Sequence, residues 1–132
     1  NQFVEDLAKG VHNLSTGQLK VALTNTAPVA ANSVYADLTS PLATTNLSGA
    51  TPFNVTTTSA EQTSGTLSLV LADLTLTATG AVGPFRYVVL YNDTPTSPAD
   101  PLIGFYDYGS SVTMANTETF LIDFASTTIT IA

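Results

Sequence analysis

Along residues 18–24, Leu19, Val21 and Leu23 alternate with Lys20, Ala22 and Thr24. That period of two predicts a half-buried strand, and residues 25–28 (NTAP) break it. Residues 2–11 follow the other period. Phe3, Val4, Leu7, Ala8 and Val11 fall at helical spacing, with Glu5 and Asp6 early, Lys9 late and Gly10 as a stop. Isolated helices shorter than ~12–15 residues are marginal in water. Segment 1–13 therefore reads as a docking helix that needs a surface, either its own sheet or a neighbouring chain.

Residues 27–65 show neither period. They are rich in Thr, Ser, Ala and Asn, punctuated by Pro28, Pro41, Gly49 and Pro52. Asn32 is placed to cap a brief helix through Val34 and Leu38, and Phe53 and Val55 suggest one short strand. A loose stretch this long is unusual inside one domain. It reads either as strands that the pattern hides or as a loop-rich arm ordered by a partner.

The second half is denser. Leu67, Leu69 and Leu71 alternate through 66–71; the phase slips at Ala72-Asp73, and Leu74, Leu76 and Ala78 take over. A one-residue slip marks a turn or bulge between two strands. Residues 80–84 read as a loop. Residues 85–91 (FRYVVLY) are apolar on both faces, as in a central strand. The prolines at 95, 98 and 101 predict a rigid loop over 92–101. Further strands are expected over 102–108, 111–114, 119–124 and 128–131, with Phe120, Ile122 and Phe124 facing the core. Eight or so short strands at this spacing predict an all-β chain, a β-sandwich or jelly roll with a short N-terminal helix, and one domain over residues 1–132.

Composition narrows the chemistry. The 132 residues hold 3 Lys and Arg against 10 Asp and Glu, a net charge of −7, with no Cys and one His. Thr and Ser together fill 34 positions, so hydroxyls replace charges on the surface. Three cations make a poor nucleic-acid binder. The absence of Cys excludes a disulfide framework and thiol chemistry, and one His excludes a multi-His metal centre. No run of 18 apolar residues provides a membrane span. Asn1 is not Met, and the N-terminus lacks the basic start of a leader, so an upstream segment is expected to have been removed or left out.

Individual residues carry little catalytic signal. His12 reads as a hydrogen-bonding residue of a helix end or turn, since no nucleophile motif accompanies it. Asp93, Asp100, Asp107 and Asp123 lie in or beside the later strands, without calcium-loop spacing. Arg86, the only Arg, sits in an apolar strand. It is expected to form a structural ion pair with Asp107 or Asp123; an inter-subunit clamp is the alternative. Among Tyr35, Tyr87, Tyr91, Tyr106 and Tyr108, the first three read as core or contact residues, while Tyr106 and Tyr108 share one strand face that could stack on a sugar. The four N-x-[ST] triplets, at Asn13, Asn46, Asn54 and Asn92, carry no glycosylation signal in a chain so rich in Ser and Thr.

Three stretches, VHNLSTGQLKVALTNTAPVA (11–30), GPFRYVVLYNDT (83–94) and PLIGFYDYGSSV (101–112), resemble small Thr/Ala-rich virion proteins of tailed bacteriophages, similar in role to head decoration (cement) proteins. The resemblance implies a β-sandwich or jelly-roll body on the capsid surface. It also implies a homotrimer over the joints between subunits of the major capsid protein, with no cofactor and no catalytic site. The residues expected to meet a partner are those on segments without a private core: Phe3, Val4, Leu7, Val11, Val34, Tyr35 and Leu38. Another virion component, such as a tail or head–tail connector subunit, and a surface carbohydrate-binding module remain the alternatives.

Overall fold

The computed structural model describes residues 2–132. Strand accounts for 47% of the chain and helix for 8%, so the chain is mostly β, with one short N-terminal helix. That helix, α1, spans Gln2–Ala8. The strands are β1 (Leu19–Thr24), β2 (Asn54–Val55), β3 (Thr57–Thr63), β4 (Thr66–Leu71), β5 (Leu74–Thr77), β6 (Val82–Asn92), β7 (Leu102–Met114), β8 (Thr119–Ile122) and β9 (Ile129–Ile131). Every pairing is antiparallel. The sheets have the orders β2-β1-β6-β7, β3-β4-β9 and β5-β8.

β6 is central, as its two-sided apolar pattern requires. Phe85, Val88 and Leu90 face the main core with Leu19, Val21 and Leu23 of β1. β4, β5 and β8 close that core from the other side through Leu69, Leu71, Leu76 and Ile122. On the opposite face of β6, Val89 and Tyr91 join Ala22 and Leu38 in a smaller cluster, against which Tyr35 and Leu102 pack. Phe85 is fully buried and meets Phe120 edge-on at 5.0 Å. Ile122 and Phe124 are buried with it, while Phe120 is half-buried, so these three share the expected inward face.

The structure departs from the sequence pattern in four places. The helix ends at Ala8, three residues early. It docks on its own chain: it packs against β7, and Phe3 and Leu7 lie against the main core. Asn1, the first residue of the expected docking segment, lies outside the described residues.

Segment 27–65 is no free arm. Leu38, Leu47, Phe53 and Val55 are buried in the chain's own clusters, and 54–63 contributes β2 and β3. Between these anchors the backbone is fixed by hydrogen bonds. Leu42 N–H donates to Leu23 O (2.8 Å), Ser48 N–H to Thr77 O (2.9 Å) and Asn46 Nδ2 to Ala81 O (2.7 Å). Asn32 does not cap the helical turn at Tyr35–Asp37. The Asp37 carboxylate does, accepting from the N–H groups of Ser33 (2.8 Å) and Val34 (3.1 Å), while Asn32 Oδ1 accepts from Val29 N–H (2.8 Å).

The expected loop over 80–84 is largely strand, since β6 starts at Val82. Gly83 makes this possible. Its φ is +128°, and a Cβ there would stand 2.7 Å from Val112 O. The strands expected over 102–108 and 111–114 are one, β7, which passes Gly109 at φ +91°.

Two stability changes follow. Phe85→Ala should cost about 3–5 kcal/mol, as for other buried aromatic truncations, with Phe120→Ala costing less because that ring is half-exposed. Gly83→Ala should cost about 1–3 kcal/mol through backbone strain and the contact with Val112. Urea denaturation midpoints check both; an unchanged midpoint in either variant would contradict the packing described.

Candidate functional site

The largest exposed apolar side chains are Val4, Val29, Phe105, Tyr106, Tyr108 and Leu121. Three of these six lie on β7. This strand is at the end of its sheet, paired with β6 along one side and bonded elsewhere at its first residue, where Leu102 N–H donates to Ser33 O (2.9 Å); most of its residues are exposed. An edge strand presents unpaired backbone groups, and natural edges usually carry Lys, Pro or a bulge to discourage pairing. β7 has no Lys and no Pro; its one charge is Asp107. It does have a bulge. The register jumps from Phe85↔Val112 to Tyr87↔Asp107, so 108–111 form a kink opposite Arg86. Asp107 Oδ1 pins that kink by accepting from Gly109 N–H (2.8 Å).

The two faces of β7 differ. On one face Phe105 meets Tyr87 edge-on at 6.1 Å, beside the Arg86–Asp107 pair. On the other, Tyr106 packs edge-on against Phe124 (6.1 Å) and Tyr108 against Phe120 (5.3 Å). The inner phenylalanines thus hold the outer tyrosines in place from below. Tyr106 is 43% exposed and Tyr108 59%, and Leu121 of β8, 56% exposed, stands beside them. These residues frame a shallow cleft of about 170 Å³ that Asp107 and Asp123 also line. Burial alone raises the Tyr106 phenol above its ordinary value.

The expected ion pair forms in part. Arg86 Nε and Nη2 donate to Asp107 Oδ1 and Oδ2 at 2.7 and 2.8 Å, a bidentate fork. The pair is not buried: about two-fifths of each side chain is exposed. Its role is geometric, since exposed pairs contribute little stability. Asp123 is not in the pair; it lies exposed just after β8. The guanidinium and Gly109 N–H pull the Asp107 carboxyl down to about 2.

The seven expected partner residues are placed differently from one another. Leu38 is buried, and Phe3 and Leu7 pack on the main core. Tyr35 packs at a tilt against Tyr91, with ring centres 5.0 Å apart, and Val34 bridges to Pro101. Val11 is half-buried. Val4, at 65% exposure, is the one of the seven with a largely free side chain. Phe105 and Leu121, by contrast, carry no exposure signal in the sequence pattern. Strict alternation puts Phe105 opposite Tyr106, and only the edge position of β7 makes both faces accessible.

His12 lies just past the end of α1 as a hydrogen-bonding residue, and it is buried. Its Nδ1 lies 3.4 Å from Asn92 Nδ2, and its ring stands 5.2 Å from Phe3. With Asn92 donating, the proton sits on Nε2, which finds no acceptor. Desolvation lowers the His12 pKa, with Asp6 partly opposing. Of the later carboxylates, Asp107 pairs with Arg86, while Asp93 and Asp100 lie together beside Lys20, with Asp93 at 2.7 Å from its Nζ; burial first, and then the Asp93 charge, raise the Asp100 carboxyl. Among the described residues, no three His, Cys, Asp or Glu side chains gather around a common point.

The depressed Asp107 carboxyl sets a pH dependence. An unfolded Asp titrates near ~3.9, so the pair's contribution is present above that pH and lost as pH falls through about 2. Carboxyl-detected NMR should place the Asp107 midpoint near 2 and move it up toward the ordinary carboxylate range in Arg86→Gln. A midpoint unmoved by that substitution would show that the fork does not hold the charge. Compared with protein-family models, with curated proteins and with solved structures, the chain matches none.

Proposed function

We propose that the chain is a structural virion protein of the capsid-decoration type, bound as a homotrimer over joints between major capsid subunits and acting by contact without catalysis. The observation that carries this reading is the exposed group Tyr106, Tyr108 and Leu121 on one side of the β7 edge, with Phe105 exposed on the strand's other face. Large apolar side chains clustered at an unpaired strand edge mark an interaction surface. Aromatic side chains dominate the energetics of such surfaces.

The layout of the core suits bracing. We read the four-stranded sheet and the β4, β5 and β8 side as the two layers of a β-sandwich, a stiff body. Binding only the assembled shell stabilises it by mass action, because rupture must re-expose the buried contact. Stable contacts bury roughly 1,200–2,000 Å² in all; the aromatic edge would form the centre and the Thr-rich surface the rim. The net charge of −7 also keeps the protein away from packaged DNA.

The test is rebinding to empty shells of the parent phage. The wild-type protein should bind, and native mass measurement should give three copies. The double variant Phe105→Asp/Tyr108→Asp should keep its circular dichroism spectrum and lose binding by about ten-fold or more, as for central contact residues. Undiminished binding would overturn the role of the β7 edge. A larger ring in the mass measurement would favour a connector or tail subunit.

A further inference from the structure

The cleft between β7 and β8 carries more specific information than its apolar character. Its lining includes Tyr106, Tyr108, Phe120 and Leu121 together with Asp107 and Asp123; the Asp107 carboxylate itself turns to the other face of β7, toward Arg86. Asp107 is already matched, with the Arg86 fork on both oxygens and Gly109 N–H on one. Asp123 is exposed and, among the described residues, has no hydrogen-bond or ion-pair partner. Exposed aromatic rings beside an unmatched carboxylate are the elements of a cation-binding site: the rings offer their negative faces, and the carboxylate supplies the counter-charge.

The charge inventory decides what can fill it. All three cations of the chain are engaged within it: Lys9 with Glu5, Lys20 with Asp93 and Arg86 with Asp107. A second copy therefore brings no free Lys or Arg to this cleft and adds another unmatched Asp123. An anionic partner is repelled by a body of net charge −7, whereas a cationic one is drawn in. The cleft, at about 170 Å³, is smaller than the usual 300–1,000 Å³ of ligand pockets. It suits one side-chain head group better than a chain of sugar rings. Arg fits better than Lys because its planar guanidinium stacks on a ring and presents a two-pronged edge to a carboxylate.

We infer that the Tyr106–Tyr108–Asp123 cleft seats an arginine side chain projecting from a partner protein. The inference rests on the contact function proposed above and names the chemistry of the partner's surface. The guanidinium would stack against a tyrosine while donating to Asp123, and Leu121 would cover the aliphatic stem.

The experiment is a backbone- and side-chain-resolved NMR titration of the full chain with N-acetyl-arginine amide, with N-acetyl-citrulline amide as the uncharged isostere. Arginine should shift Tyr106, Tyr108 and Asp123 in a saturable manner. Citrulline should bind at least ~3-fold more weakly, in keeping with cation–π and exposed ion-pair strengths. Asp123→Asn should weaken arginine binding by a similar factor, and so should 0.5 M salt. Tyr108→Leu, which keeps apolar bulk and removes the ring, should do the same in a protein whose remaining spectrum is unchanged. The inference is overturned if these residues do not respond up to 50 mM, if citrulline binds equally well, or if maltohexaose shifts the same residues more strongly. Shell rebinding by Asp123→Asn separates the two readings. Loss of binding supports the arginine contact, and full binding overturns it. A wild-type protein that ignores shells but titrates with arginine refutes only the decoration role.

Discussion

The architecture depends on β6 being buried on both faces. Its alternate residues supply two separate apolar clusters, so β1 and β7 are fixed beside it and the remaining strands have a floor to pack on. Without a strand that is apolar on both sides, a chain with 10% charged residues and 34 hydroxyls would have little to order it. Burial of Phe85, Val88, Leu90, Val89 and Tyr91 along one segment supplies that order. It also explains why the neighbouring strand β7 can remain so exposed: its inner edge is held by the ladder, and its outer side chains are not needed for the core.

What was legible in the sequence follows from the same physics. Strands β1, β4, β5 and β6 were readable because their side chains are sorted by burial, and the slip at Ala72-Asp73 marked the turn between β4 and β5. β3 was not, because TTSAEQT offers a single small apolar residue and is held by its ladder to β4. Segment 27–65 looked unattached because its anchors, Leu38, Leu47, Phe53 and Val55, are too widely spaced to show a period. The backbone hydrogen bonds that fix the rest leave no trace in the side-chain pattern. Arg86 looked buried because its neighbours are apolar, yet the register break around it brings it to the surface, where it found the first of its two expected partners and not the second.

The candidate surface was half visible. Tyr106 and Tyr108 stood out as a pair on one face. Phe105 and Leu121 did not, because alternation says which residues share a face and not whether that face is covered. Helix α1 shows the converse. Its helical spacing was plain, but nothing in the pattern chose between a neighbouring chain and its own β7 as the surface beneath Phe3 and Leu7.

One carboxylate joins the two properties of the β7 edge. Asp107 neutralises the only guanidinium of the chain and at the same time grips the amide of Gly109, which sets the kink that carries Tyr108. Electrostatics and shape at this rim therefore share a single hinge pin. A lineage that altered the charge here would also move an aromatic ring, so drift at position 107 would have to be matched by concerted change at 86, 108 and 109.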